Sequence, residues 1–305
     1  MVRPGKFPFW SWPSELRQNR IMGINSRNIE LIFPSNSRAN YALVDNKALT
    51  KKLCESRHIP APQTYALIRR FGDIKKSIDL LFSLSSFVIK PTRGAGGRGI
   101  MVIANRKGRE FKNTKGELFS LEQIRYHIST ILSGLYSLSG QPDQAMIEKL
   151  IEPHPVFNGL AVAGTPDIRI VIYETTPIMC MLRLPTKASK GRANLHQGAA
   201  GVGIDLETGI TYGGVWRDRL FDVHPDTETS LSGVTIPKWR DVLTIAKQLS
   251  CAIGLQYVGV DVLLDAEDGP LILEANARPG LSIQIANRCG LWAKLRETNL
   301  KLCLS

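Results

Sequence analysis

Short apolar, β-branched runs separated by turn residues set the pattern of this chain, and strands and helices are predicted to alternate along it as in an α+β protein. Strands are expected at Phe87–Lys90, Ile100–Ala104, Ala145–Glu148, Asp167–Tyr173, Ile178–Leu184, Tyr257–Leu264 and Leu271–Asn276. One helix is predicted near Glu15–Ile21. A second runs from Asp45, as N-cap, to about Arg57, and stops before Ile59-Pro60-Ala61-Pro62. A third spans Leu121 to about Leu135 with Ser120 as cap. A fourth spans Trp239–Ile253 and ends at Gly254, a residue suited to a left-handed C-terminal cap. There is no internal repeat or low-complexity tract.

The last two strands carry the most chemistry. They flank a turn-rich cluster from Asp265 to Gly269 and so read as a hairpin. In that hairpin Asp261 lies roughly opposite Glu274, and Asn276 shares the face of Glu274 by strand alternation. Two carboxylates across a hairpin repel each other unless a cation lies between them. Oxygen-only donors of this kind suit Mg²⁺ held partly by protein and partly by phosphate. A solvated hairpin with polar edges is the competing reading, weakened because the acids interrupt apolar strands, where unpaired charge is costly.

Composition changes the picture only in outline. With 305 residues, 43% hydrophobic and 22% charged, the chain is expected to be a soluble globular protein of one large or two modest domains. No stretch reaches the roughly 18 apolar residues of a membrane span, and the N-terminus does not resemble a signal peptide. Cys54, Cys180, Cys251, Cys289 and Cys303 are scattered and form no C-x-x-C pair, which points to reduced thiols in a cytoplasm. The net charge of +12 would attract nucleic acid, an anionic membrane surface or an acidic substrate. Its basic residues are dispersed, with no run of five, so a dedicated nucleic-acid motif is not expected.

Gly94-Ala95-Gly96-Gly97-Arg98-Gly99 fits G-x-G-x-x-G, but a strand-like segment follows where a dinucleotide fold needs a helix, and no Lys-Ser/Thr follows for a Walker loop. The element reads instead as a glycine hairpin able to fold over phosphates, with Lys90 at its base. Met146–Ile151 is a strand that could offer backbone groups to an adenine edge, as could any buried strand. Arg169 alternates with Ile168, Ile170 and Ile172, so it faces away from them toward an acid or a ligand phosphate. Arg183 also lies on a strand, followed by Lys187, Lys190 and Arg192. The loop from Arg192 to Gly201 is polar and glycine-rich, and its His196 is suited to proton transfer or to positioning. Phosphate grip, charge neutralisation and Mg²⁺ ligation follow in order, which are the parts phosphoryl transfer needs.

Together, Lys90-Pro91-x-x-Gly94-x-Gly96-Gly97-x-Gly99, Asp167-Ile168-Arg169, Asn194-Leu195-His196, Asp261 and Glu274-x-Asn276-x-x-Pro279-Gly280 resemble the ATP-grasp superfamily. Within it the chain is similar to the α-L-glutamate ligase-like proteins from about Trp12 to Leu291. The resemblance implies an ATP-grasp fold, with two α+β lobes gripping ATP: a short extension over 1–44, a small lobe with its lid over 45–150, and a large lobe with the Mg²⁺ site over 151–305. It implies that Lys90, Gly94, Gly96, Gly97 and Gly99 hold the ATP phosphates, and that Glu148, Lys149 and Leu150 form the hinge reading adenine. Arg169 and Arg183 would contact phosphate or an acyl-phosphate, Asn194 and His196 would line the same site, and Arg278 would sit near a substrate carboxylate. Asp261, Glu274 and Asn276 would bind two Mg²⁺ ions.

The reaction so implied joins a carboxylate and an amine through an acyl-phosphate, with glutamate as one substrate and a peptide or protein as the other. A kinase acting on a hydroxyl, and a catalytically silent ATP-binding protein, are the alternatives. Fewer than about 50 residues precede the Asp45 helix, too few for the α/β domain that usually precedes this core. Acceptor recognition is therefore expected from the Trp-rich N-terminus, a second copy in a homo-oligomer, or a partner.

Overall fold

The computed structural model describes residues 13–298 apart from 95, 138, 139 and 218. The tryptophans of the N-terminal segment, Trp10 and Trp12, lie outside the described residues. In chain order the strands are β1 (Thr64–Ile68), β2 (Phe87–Pro91), β3 (Met101–Ile103), β4 (Asn105–Lys107) and β5 (Glu110–Lys112). They continue with β6 (Leu118–Phe119), β7 (Ala145–Glu148), β8 (Asp167–Tyr173), β9 (Thr176–Leu184) and β10 (Ala200–Ile204). The last are β11 (Thr211–Trp216), β12 (Arg219–Phe221), β13 (Tyr257–Asp265) and β14 (Gly269–Asn276).

Two antiparallel sheets dominate. The smaller has the order β1-β7-β2-β3, and the larger β12-β11-β10-β9-β8-β13-β14, with β4-β5-β6 as a minor third sheet. The small sheet and the helix Leu121–Leu132 share a core of Ile68, Phe87, Ile89, Phe111, Ile124, Ile128 and Ile147. That helix opens with a capping box between Ser120 and Gln123, as its sequence signature requires. One face of the large sheet is covered by the helix Trp239–Ile253, whose apolar stripe of Val242, Ala246, Leu249 and Ile253 joins Val258, Val260 and Val262. Gly254 ends it at φ +70°, the left-handed cap expected. The other face takes Met22, Leu31 and Ile32 of the N-terminal segment together with Ile283, Leu291 and Leu295.

The strands expected from the sequence form within a residue or two of their predicted ends, and the Phe87–Lys90 and Ile100–Ala104 runs pair as the glycine hairpin, Val88 opposite Val102. The Asp45 cap differs by one residue. Asp45 closes a short helix, Ala42–Asp45, and it is the extended Asn46 (φ −124°) whose side chain accepts from the Ala48 amide and opens Lys47–Ser56. The Cys54 side of that helix enters the core of the large sheet. The sequence pattern does not mark β1, the strands β10 to β12 at one end of the large sheet, or the minor sheet, which are short, glycine-rich or polar.

The β13–β14 hairpin is not regular. Asp261 pairs with Glu274 and Val262 with Ile272, so Leu273 is an extra residue, a β-bulge. The bulge reverses the alternation: Ile272 and Ala275 point into the core with Val262, while Glu274 and Asn276 share the opposite face with Asp261.

Candidate functional site

The base of the glycine loop is fixed by buried polar contacts. Asp143 accepts from the Thr92 hydroxyl (2.6 Å) and from the Arg93 amide (3.0 Å), which ties the end of β2 down. Beyond it, Gly99 adopts φ +73° and presses so closely on Tyr136 that a Cβ would lie 2.5 Å from the ring. Across the cleft, the Gln197 side chain donates to the Gly96 carbonyl (3.0 Å), so the loop lies against the Arg192–Gln197 segment of the large lobe.

Lys90 and Glu148 emerge from neighbouring strands of the small sheet and form a buried ion pair. Lys51 joins them at 3.3 Å from Glu148 Oε1 and also reaches the Ile272 carbonyl (3.3 Å). That alignment makes an ion pair but no hydrogen bond, so Glu148 Oε1 remains a buried acceptor without a donor. Burial pushes Lys51 down to about 8, against the opposing pull of Glu148. Burial alone would raise Glu148; the two lysines hold it below the usual carboxylate range. The Glu148 backbone is committed to the sheet, pairing with Thr64 and Val88, whereas the Leu150 N–H has no backbone acceptor among the described residues.

Lys47 stands one helical turn before Lys51 and faces the same way. It donates to the Gly94 carbonyl (2.7 Å) and lies 3.3 Å from Glu274 Oε2. One helix thus connects the loop base, the Lys90–Glu148 pair and the Asp261 hairpin.

On the large sheet, β8 lies between β9 and β13, which makes Asp261 a direct neighbour of Arg169, and Asp167 of Arg183. Arg169 grips Asp261 through Nε and Nη2, the latter at 2.7 Å, and Arg183 Nη2 reaches the same carboxylate at 2.6 Å. Arg183 Nε meets Asp167 at 2.5 Å. All four groups are buried. Burial would raise Asp261, but the two arginines keep it below its ordinary value. Asp167 is raised, because burial outweighs the pull of Arg183.

The Asn276 amide lies 3.5 Å from Asp261 Oδ2 and 3.4 Å from Glu274 Oε1, so the three predicted ligands do converge on one face. Rotation of that amide about its Cβ–Cγ bond would offer a third oxygen at the same point. Hard oxygen donors fit a divalent cation such as Mg²⁺. Among the described residues no three His, Cys, Asp or Glu side chains gather closely enough to hold a metal, so a metal would rely on these two carboxylates, the amide and non-protein oxygens. The cation expected between the carboxylates is in part protein: arginines hold Asp261, and Lys47 holds Glu274.

Asn194 caps the turn Leu195–Gln197 by accepting from the His196 amide (3.0 Å). His196 is exposed, and its Nε2 comes within 3.8 Å of where a Cβ on Gly280 would lie, which brings the His196 loop beside Arg278-Pro279-Gly280. Lys47, Lys51, Asp143 and Gln197 escaped the sequence reading. The i,i+4 spacing of the two lysines was the available signal; Asp143 and Gln197 act across 50 and 101 residues of chain and leave no local mark.

Two sheets with a glycine hairpin over the cleft between them define an ATP-grasp protein. The sequence matches the sugar-transfer associated ATP-grasp family over residues 26–299, and the chain belongs to that family. D-alanyl-alanine synthetase A from Vibrio cholerae O1 biovar eltor str. N16961 has the same fold, at 13% identity and TM-score 0.52, over 88% of this chain and 64% of that one. D-alanine–D-alanine ligase from Bacillus anthracis, solved with ATP, gives 13% identity and TM-score 0.48 over 88% of this chain and 66% of that one. The ATP-grasp ligase PsnB, solved with a minimal precursor, gives 14% and 0.47 over 87% and 62%. The chain spans less than two thirds of the length of each of these proteins. No curated protein matches the sequence. No helix among the described residues is long and apolar enough to cross a membrane.

Proposed function

We propose that this protein is an ATP-dependent carboxylate–amine ligase that joins glutamate to a peptide or protein acceptor. The observation that supports it most is the convergence of Asp261, Glu274 and Asn276 beside the glycine loop, joined to it by Lys47. In this reading the lobes meet near residue 150, and ATP lies between them. Lys90, Lys51 and the backbone of Gly94 to Gly99 bind its phosphates, and the Lys149–Leu150 backbone meets adenine. Asp261, Glu274 and Asn276 would hold Mg²⁺, which when bound offsets phosphate charge and orients the phosphoryl group.

A substrate carboxylate oxygen attacks the γ-phosphorus and ADP leaves; the amine then attacks the acyl carbon, phosphate leaves and the amine loses a proton. Arg169 and Arg183 stabilise the acyl-phosphate oxygens, and Asn194 holds the loop that presents His196 to the same site. The loop closed on Gln197 excludes water from the acyl-phosphate. A cytoplasmic setting is consistent with the free thiols of Cys54, Cys180, Cys251 and Cys289.

The test is nucleotide and phosphate release from Mg²⁺–ATP across amino acids and acidic peptides, with Glu274→Ala as background. ADP and phosphate formed only with both a carboxylate and an amine is the expected result. ADP without free phosphate would make the protein a kinase, and no turnover with any pair would leave a silent ATP-binding protein; either result rejects the ligase.

A further inference from the structure

Five Lys or Arg side chains are buried among the described residues: Arg27, Lys51, Lys90, Arg169 and Arg183. Four of them contact a carboxylate. Arg27 does not. Its side chain is 7% exposed, and it donates only to neutral acceptors, through Nε and Nη2 to Asn28 Oδ1 (3.2 and 2.9 Å) and Nη1 to the Pro279 carbonyl (2.9 Å). A guanidinium has five N–H donors, so part of its capacity is unused. Burial holds Arg27 below its ordinary value, and the charge of Arg278 acts in the same direction, against the Tyr257 phenol. A buried cation that feels a second cation and has no carboxylate partner is costly unless an anion completes it.

Arg278 shows the same lack. It is exposed, stacks at 5.8 Å over the Tyr41 ring, and has no carboxylate partner among the described residues. Both arginines belong to one loop environment, since Arg27 holds the carbonyl of the residue after Arg278. Gly259 lets that loop approach the sheet: a Cβ there would lie 2.6 Å from Pro279 Cβ and 3.3 Å from Arg169 Cδ. Arg169, Pro279 and Arg27 therefore follow one another outward from the Asp261 carboxylate, with His196 beside Gly280. The segment after Arg27 is a single turn of π-helix, Asn28–Ile32, a distortion frequent at functional sites.

We propose that Arg27 and Arg278 together bind the non-reacting carboxylate of a dicarboxylic substrate, while its reacting carboxylate lies toward Arg169 and Arg183. This rests on the ligase reading above and assigns a specificity residue to the N-terminal segment. A free oxyanion and the γ-phosphate of ATP share the required chemistry, and the test separates them.

Calorimetric titration of the full chain would compare wild type with Arg27→Gln, Arg27→Lys and Arg278→Gln. The probes are Mg²⁺–ADP, a non-hydrolysable Mg²⁺–ATP analogue, and L-glutamate, L-aspartate and L-glutamine added to the ADP complex. In wild type, glutamate or aspartate binds at least tenfold tighter than glutamine. Arg27→Gln and Arg278→Gln each weaken that acid by about 10- to 100-fold, as expected for lost charge-assisted hydrogen bonds, and Arg27→Lys less so. Unchanged ADP affinity shows that the variants remain folded, and the exposed Arg278 carries the test if Arg27→Gln does not fold. The proposal is overturned if neither acid binds wild type, if the arginine variants bind it equally well, or if they lose affinity for the ATP analogue but not ADP. These binding results stand apart from turnover, so a ligase without this subsite, and this subsite in a protein that is no ligase, are told apart.

Discussion

Two groups of buried charge line the cleft, and they are balanced differently. On the small lobe, Lys51 and Lys90 share one carboxylate, Glu148. On the large lobe, Arg169 and Arg183 share two, Asp167 and Asp261. The first group keeps a surplus positive charge and is suited to a polyanion directly. The second is neutral within itself, so it gains from phosphate mainly through the Mg²⁺ ion that Glu274 and Asn276 would help bind. A lysine bridge, Lys47 to Glu274, joins the two groups.

Breaking the neutral group should have the largest effect. Asp261→Asn leaves both arginines with Asp167 alone, and urea unfolding is expected to show a loss of about 3–5 kcal/mol, the usual result of removing one partner from a buried pair. A loss below about 1 kcal/mol would mean that the group is hydrated and the contrast unfounded. Glu274→Gln touches a half-exposed side chain, so its urea midpoint should stay near wild type. ADP release should nevertheless fall about a hundredfold or more, as when a preorganised electrostatic contact is lost. Turnover at the wild-type rate would remove Glu274 from the metal set.

The surplus at the other end is sharpened by Lys90→Met, which should weaken Mg²⁺–ADP binding by about tenfold to a hundredfold. An unchanged dissociation constant would move the phosphates elsewhere. The smallest effect is a proton. Lys51, lowered to about 8 by burial, should regain its usual basicity when phosphate arrives, so nucleotide binding near pH 8 should take up a fraction of a proton. Titration in buffers of different ionisation enthalpy measures that uptake, and Lys51→Met should abolish it. The folded protein releases this proton before the unfolded chain does, so the stability contributed by Lys51 rises with pH between about 8 and the ordinary 10.5.

Legibility in the sequence followed the range of the interactions. The β13–β14 hairpin, the glycine hairpin and the helix Trp239–Ile253 are built from neighbouring residues, and period and turn chemistry disclosed them. Glu274 and Asn276 could be placed on one face for the same reason, whereas Asp261 faces them squarely only through the bulge at Leu273. The partners of Asp261 could not, because Arg169 meets it across 92 residues of chain. Glu148 was read for its backbone, while its side chain proved to be the acid between two lysines. Arg27 lies in a segment with no periodic pattern, and its lack of a carboxylate partner exists only in the folded protein.

The bulge at Leu273 works like a change of reading frame in space. Every residue after it is presented to the side opposite the one that simple counting from Ile272 would give: were Leu273 paired with Asp261 in a regular ladder, Glu274 and Asn276 would turn toward the oil and Ala275 toward the cleft. The chemistry of this hairpin is thus written in a residue that has none of its own.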